Sequence, residues 1–113
     1  MRVLKKPDFL KLPEGVAYCR GKKWFFGGLA FKGETVSDVD WYELEFNWVD
    51  GHDLGECFER MDAMLTDGVR FPIQDSICRN GLYEDDDLFL VFDEDDLLKL
   101  RGWIDDAIRL SRN

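Results

Sequence analysis

Residues 88–110 read LFLVFDEDDLLKLRGWIDDAIRL and combine the two kinds of element on which the fold depends. The segment 88–92 is a continuous apolar run with acids on both sides, which is typical of a buried strand in the middle of a sheet. Asp93 then predicts the start of a helix near 94–110, because its carboxylate can accept a hydrogen bond from a free N–H group of the first turn. Apolar residues at spacings of three and four predict one buried stripe on this helix: Leu97, Leu98, Leu100, Trp103, Ile104, Ala107 and Ile108.

Upstream, residues 41–49 carry the clearest strand signal, a strict alternation of apolar and polar residues. The apolar set predicts a face turned to the core: Tyr42, Leu44, Phe46 and Trp48. The polar set predicts a wet, acidic face: Glu43, Glu45 and Asn47. A second amphipathic helix is predicted near 53–66, with its end at Gly68, because apolar residues again recur at helical spacing.

The N-terminal third of the chain predicts a meander of short strands. Pro7 marks the start of a short helix that ends near Leu12. Residues 16–26 alternate around a basic turn and predict a hairpin, and residues 29–31 offer a third strand. Residues 69–81 predict a loop with at most a short extended piece, because they contain a proline and little periodicity.

This order of elements predicts an α+β fold. Its sheet is mostly antiparallel with four to five strands, built from the N-terminal meander and a buried strand near 88–92. Two amphipathic helices, near 53–66 and 94–110, are expected to cover the sheet, because one-faced strands and one-striped helices bury each other in two layers. Since 113 residues suffice for one hydrophobic core, residues 1–113 are expected to form a single domain.

Three stretches of the chain resemble segments of small bacterial and phage proteins whose activity is uncharacterised. They are residues 12–15 (LPEG), 31–35 (FKGET) and 79–89 (RNGLYEDDDLF). The resemblance implies a prokaryotic or phage setting and brings no functional residue with it.

The chain also predicts a cytoplasmic protein without a cofactor. No apolar run reaches the roughly 18 residues that a membrane helix needs, and residues 1–11 lack the apolar stretch of a signal peptide. Cys19, Cys57 and Cys78 are odd in number and widely spaced, so we expect three free thiols and neither a disulfide framework nor a zinc site.

Charge is distributed very unevenly along the chain. Residues 1–33 hold eight Lys or Arg against two acids, a net of +6, whereas residues 34–113 hold seven against twenty-two, a net of −15. The two parts together give the net charge of −9. An asymmetry of this kind favours a basic partner.

Two acidic runs dominate the charge map, at 84–87 and 93–96. Acids in the first turn of a helix complement its positive end, so neutralising 93–96 is expected to cost roughly 1–3 kcal/mol of stability. The run Glu84-Asp85-Asp86-Asp87 gains nothing from local structure, and two interpretations stay open: a solvated turn or a patch that faces a partner. On either interpretation, neutralising 84–87 is expected to leave stability unchanged or improved.

Other chemistry is weakly indicated. Carboxylates such as Asp85 and Asp87 could bind a hard cation, but a strand of roughly 17 Å separates the two acidic runs, and no metal site is predicted. His52 lies between two acids and fits a turn residue better than a general base, because no nucleophile accompanies it. Residues 20–26 mix bases and aromatics as in single-stranded nucleic-acid platforms, yet the net charge disfavours direct nucleic-acid binding. We therefore interpret them as a basic hairpin tip that leads into a core strand.

The function predicted from the sequence is that of a non-enzymatic acidic binding protein. It would occupy a basic surface of another macromolecule, such as a nucleic-acid-binding protein or a toxin, as an inhibitor, anti-defence factor or toxin-neutralising partner. Two alternatives stay open: a plain module whose acids serve solubility, and a metal-dependent or acid-base enzyme. No catalytic residue is predicted, and the predicted partner-binding residues are Glu43, Glu45, Glu84, Asp85, Asp86 and Asp87.

Overall fold

The computed structural model describes residues 1–49, 51, 53–79, 81 and 85–112. Within them lie six strands and three helices, and all neighbouring strands run antiparallel in the order β1-β6-β2-β3-β4-β5. The predicted α+β class with an antiparallel sheet is confirmed. The elements are β1 (Arg2–Lys5), α1 (Lys6–Leu10), β2 (Ala17–Lys22), β3 (Phe25–Val36), β4 (Asp40–Trp48), α2 (Leu54–Asp67), β5 (Gln74–Cys78), β6 (Leu88–Val91) and α3 (Glu94–Ser111).

Strand β6 lies inside the sheet, between β1 and β2, as its continuous apolar sequence predicts. Phe89 and Val91 are buried, and β6 pairs with both neighbours over its whole length. The hairpin of β2 and β3 is also confirmed, but residues 29–31, predicted as a third strand, continue β3. Strand β5 lies in the stretch that was expected to be mostly loop, where it forms one edge of the sheet next to β4.

The hydrophobic core is aromatic and lies on one face of the sheet, which we call the inner face. There α1 places Phe9 against the strands, with its ring stacked on Phe89 at 4.1 Å between centroids. The Trp41 ring meets Phe89 edge-on at 5.3 Å. Tyr18 completes this fully buried group, and ring pairs of this geometry stabilise a core beyond the area they bury.

The predicted orientation of β4 is wrong. Trp41 and Glu43 belong to the inner face and are buried, whereas Tyr42 points the other way and is exposed. Alternation reveals that a strand has two different faces, but the aromatic cluster under α1 decides which of them is covered. Glu43 is only 6% exposed, so the expected wet acidic face does not exist at this position.

Helices α2 and α3 form where the sequence predicts them. At the start of α2, the Asp53 carboxylate accepts the N–H of Glu56 at 2.8 Å, and Gly68 ends the helix in a left-handed conformation. Asp93 is the N-cap of α3, and its N–H donates to the Asp96 carboxylate at 2.9 Å. Both ends therefore follow ordinary capping chemistry.

These two helices do not cover the sheet as expected, because neither contains a buried residue in the part of the chain that the structure describes. The radius of gyration is 16.6 Å, against about 13 Å for a compact domain of this length. Their apolar stripes therefore face solvent. None of the described helices is long and apolar enough to span a bilayer.

Candidate functional site

The acidic loop at residues 85–87 is brought against the basic N-terminal third of the chain. Because β6 lies between β1 and β2, the acids that precede it meet a base that follows β1 and bases that belong to β2. The Asp87 carboxylate accepts from the Arg20 guanidinium and lies 2.6 Å from Lys22 Nζ. Asp85 accepts from Lys6 Nζ at 2.9 Å.

Asp87 is an internal ion-pair residue and is not part of a free patch. Its exposed fraction is 7%. Burial would raise the pKa of its carboxyl, but hydrogen bonds from Lys22 and Arg20 outweigh burial and hold the pKa below the ordinary value. The prediction that 84–87 form a uniform solvated or partner-facing run is therefore wrong at Asp87. Asp86 is exposed, and Glu84 lies outside the described residues.

The ion pairs also remove the basis for cation binding in this loop. The carboxylates of Asp85 and Asp87, which we considered as metal ligands, already face one or two positive side chains. A second cation would be repelled by these groups. The charge asymmetry of the sequence is thus partly cancelled inside the fold.

A second polar cluster occupies the inner face beyond α1, around the other predicted acids, Glu43 and Glu45. The Tyr18 hydroxyl donates to Glu43 and accepts from Trp41 Nε1 at 2.8 Å. From the neighbouring strand, Cys78 Sγ donates to the second Glu43 oxygen at 3.7 Å. These side chains come from three strands, so their proximity depends on the register of the sheet.

The cluster borders a cleft of about 400 Å³. The cleft is lined by Arg20, Glu43 and Glu45 from the inner face and by Phe46 and Trp48 at the end of β4. Single ligand atoms of Glu43, Glu45 and Cys78 lie within 4.8 Å of one another, which would suit a metal ion by distance alone. Both oxygens of Glu43 are already engaged by Tyr18 and Cys78, so this geometry is that of a satisfied hydrogen-bond network.

The pKa values of two side chains in the cluster also fit a satisfied hydrogen-bond network. Burial, together with the Glu43 carboxylate, raises the pKa of the Tyr18 hydroxyl far above its ordinary value. Burial and a hydrogen bond with Glu45 raise the pKa of the Cys78 thiol to about 12. Both groups stay protonated at neutral pH and act as donors, which is the opposite of an activated nucleophile.

We expect the Cys78 thiol to react slowly. In a variant that keeps Cys78 as its sole cysteine (C19S and C57S), alkylation of the folded protein near pH 8 should be at least about tenfold slower than in denaturant, because little thiolate is present. A variant that keeps Cys57, half-buried on α2, provides the comparison. Equal rates for Cys78 in the folded and denatured protein would contradict the proposed network.

All three cysteines are free, as predicted.

The basic hairpin tip differs from its prediction. Trp24 is 89% exposed with a left-handed backbone, and Phe25 is also exposed, so the tip does not lead directly into the core. Arg20 and Lys22 both contact Asp87, which takes two of the cations that a nucleic-acid platform would need. His52 lies outside the described residues.

Helix α2, which the sequence predicts to lie against the sheet, is exposed. Its apolar stripe is turned to solvent: Leu54, Phe58, Met61 and Leu65. Amphipathic spacing revealed the stripe, but it carries no information on whether the stripe is buried within the chain or by another molecule.

Comparison with models of protein families, with curated proteins and with solved structures finds no match for the chain.

Proposed function

We propose that the protein is a non-enzymatic binding protein that occupies a basic surface of another macromolecule, and that it does so with α2. The carrying observation is that α2 is amphipathic, acidic and without a buried residue. Such a helix suits an apolar groove with a basic rim, in which the stripe fills the groove and the acids meet the rim.

The stripe and the acids lie on different sides of α2. The stripe residues Leu54, Phe58, Met61 and Leu65 follow one another at spacings of four, three and four, which puts them on one face. Leu65 is 84% exposed. The remaining surface carries Glu56, Glu59, Asp62 and Asp67. The base within the helix, Arg60, pairs with Glu56 at 2.8 Å, so the helix as a whole stays acidic.

We propose α2 and not the loop at 85–87 as the binding element because the acids of the two segments differ in their contacts within the chain. Asp87 and Asp85 contact bases of the same chain, and separating them to bind a partner would leave buried positive charge. Glu59 and Asp62 are exposed. Exposed acids act mainly on the rate and specificity of association, as expected for an inhibitor of a nucleic-acid-binding protein or for a toxin-neutralising partner.

Affinity capture from the native host tests this proposal with two matched variants. The first neutralises two acids of α2, E59Q and D62N. The second makes the same charge change elsewhere on the surface, E34Q and D105N. We expect the α2 variant to capture at least about tenfold less of a basic partner at low salt and to show a flatter salt dependence, while the control behaves as the wild type.

Two results would overturn the proposal. Equal capture by both variants would mean that the acids of α2 are idle. Capture of no basic protein by the wild type would return the chain to the alternative of a module whose acids serve solubility.

A further inference from the structure

The sheet has a second, apolar face, opposite the inner face. Strand register places apolar side chains from all six strands on this face, in two rows that meet on β3. We call this face the outer face, and its apolar residues are Val3, Leu90, Cys19, Leu29, Phe31, Leu44 and Ile77. Since α1 packs on the inner face, no described helix covers the outer one, and Ile77 is 73% exposed.

An apolar cleft extends the outer face at one end. It has a volume of about 360 Å³, and Val3, Trp24, Phe26 and Leu88 line it together with Lys23. Trp24 reaches this position from a left-handed backbone conformation, which is costly for a bulky side chain and is found where the surrounding structure or function requires it. The cleft is large enough to accept a side chain from another molecule.

Helix α3 carries the complementary surface. Its stripe recurs at helical spacing and is exposed to solvent: Leu97, Ile104 and Ile108, with Trp103 at the margin. A buried aromatic side chain contributes roughly 150–250 Å² of contact. Trp103 is 60% exposed, so much of this contact is not made within the chain. The same chain therefore has an uncovered sheet face and an uncovered helix stripe.

The area needed for a stable contact indicates how the two surfaces are used. A standard interface takes about 800 Å² and roughly 20–30 residues from each partner. One stripe of the 18-residue α3 falls short of that number. Reciprocal use of a helix stripe and a sheet face by each copy doubles the contact relative to one stripe on one face. At about 27 Å in length, α3 also matches the roughly 24 Å width of six strands.

The charges of α3 and of the outer face are compatible with a contact between them. Helix α3 holds five acids against three bases. On its β1 side the outer face is bordered by Lys5, which shares the face of Leu88 in the β1–β6 register, and by Lys23 at the apolar cleft, while Asp75 shares the face at the β5 edge. The acidic α3 helix and the basic margin on the β1 side attract each other, whereas two α3 helices would bring net negative charge together.

We infer that the chain forms a two-fold dimer in which α3 of each copy lies on the outer face of the other. Exchange of an identical element between protomers is a common route to dimers, and it leaves the link between β6 and α3 as the structure has it. The arrangement would complete the second layer that the sequence predicts for the sheet. It involves α3 and not α2, so it is independent of the proposed function.

Sedimentation velocity over a wide range of chain concentration tests the inference with three substitutions at exposed positions. I104D alters the α3 stripe, I77D alters the outer face, and G102D introduces the same charge on the side of α3 away from the stripe, where a Cβ meets nothing within 4 Å. We expect a dimer for the wild type and for G102D. I104D and I77D should each raise the dissociation constant at least about thirtyfold while circular dichroism stays unchanged.

Mixing I104D with I77D separates reciprocal exchange from other arrangements. The intact helix of the I77D chain can then lie on the intact outer face of the I104D chain. Because the second substitution adds little to a contact already lost to the first, the mixture should associate more tightly than either variant alone. A wild-type monomer at all concentrations would overturn the inference in favour of α3 folding back on its own sheet. A dimer that tolerates I77D, or a mixture without recovery, would overturn it in favour of helix–helix pairing.

Discussion

Replacing Asp87 by Asn is expected to lower the free energy of unfolding by about 3 kcal/mol, because it breaks a buried ion pair from one side. Arg20, whose side chain is largely buried, and Lys22 would then face a neutral amide. Urea denaturation measures the change. Asp86→Asn provides the control at the neighbouring exposed position, where we expect less than about 0.5 kcal/mol.

The same pair of proteins should differ in their response to acid. The pKa of Asp87 is lowered in the folded protein, so its contribution to stability is present above the ordinary carboxyl value of 3.8 and is lost as the pH falls through the lowered value. The stability difference between wild type and D87N should therefore shrink in acid below that value. A difference that is small at neutral pH, or constant down to strong acid, would contradict the ion-pair role.

This result would reverse the expectation drawn from the sequence, that neutralising 84–87 leaves stability unchanged. The sequence shows four adjacent like charges, and like charges repel. It does not show that β6 is inserted between β1 and β2, which brings bases from residues far along the chain to Asp85 and Asp87. The local charge pattern was thus sufficient to predict the role of the acids at 93–96, which start a helix. It was insufficient to predict the role of the acids in the loop at 85–87.

The elements that could be predicted are those whose signal is local. The strand near 88–92 and both amphipathic helices follow from periodicity, apolar runs and capping residues within a few positions. Strand β1 was not predicted as a strand, and β5 was predicted only as a short extended piece within a loop. Both are short edge strands of mixed composition, and they depend on a partner strand that only the fold supplies.

Burial was harder to predict than secondary structure. The alternation in β4 predicts two faces, but the buried one holds Glu43 because Tyr18 and Cys78 supply its hydrogen-bond partners from other strands. For α2 and α3 the amphipathic pattern predicts burial without naming what buries the stripe. A partner for α2 and a second copy for α3 would satisfy the same pattern as a closed two-layer monomer.

Replacing Gly81 by Ala is expected to destabilise the protein by about 3 kcal/mol, because the added methyl group has no room. A Cβ at this position would lie 2.1 Å from Cζ3 of Trp41 and 2.8 Å from the Asp40 carboxylate. The backbone of Gly81 is fixed at both ends: its N–H donates to Asp40 at 2.9 Å, and its carbonyl accepts from Lys6 Nζ at 2.6 Å.

Trp41 cannot move aside to accommodate the methyl group, since it is fully buried, packed edge-on against Phe9 and Phe89, and hydrogen-bonded to Tyr18. Thermal and urea unfolding measure the loss, and Gly102→Ala on α3 provides the matched control. A Cβ at Gly102 meets nothing within 4 Å, and alanine favours a helix over glycine, so this control should stabilise the protein by up to about 1 kcal/mol. If both substitutions were neutral or stabilising, the contact between Gly81 and Trp41 would not exist, and the loop before β6 would not be anchored to the aromatic core.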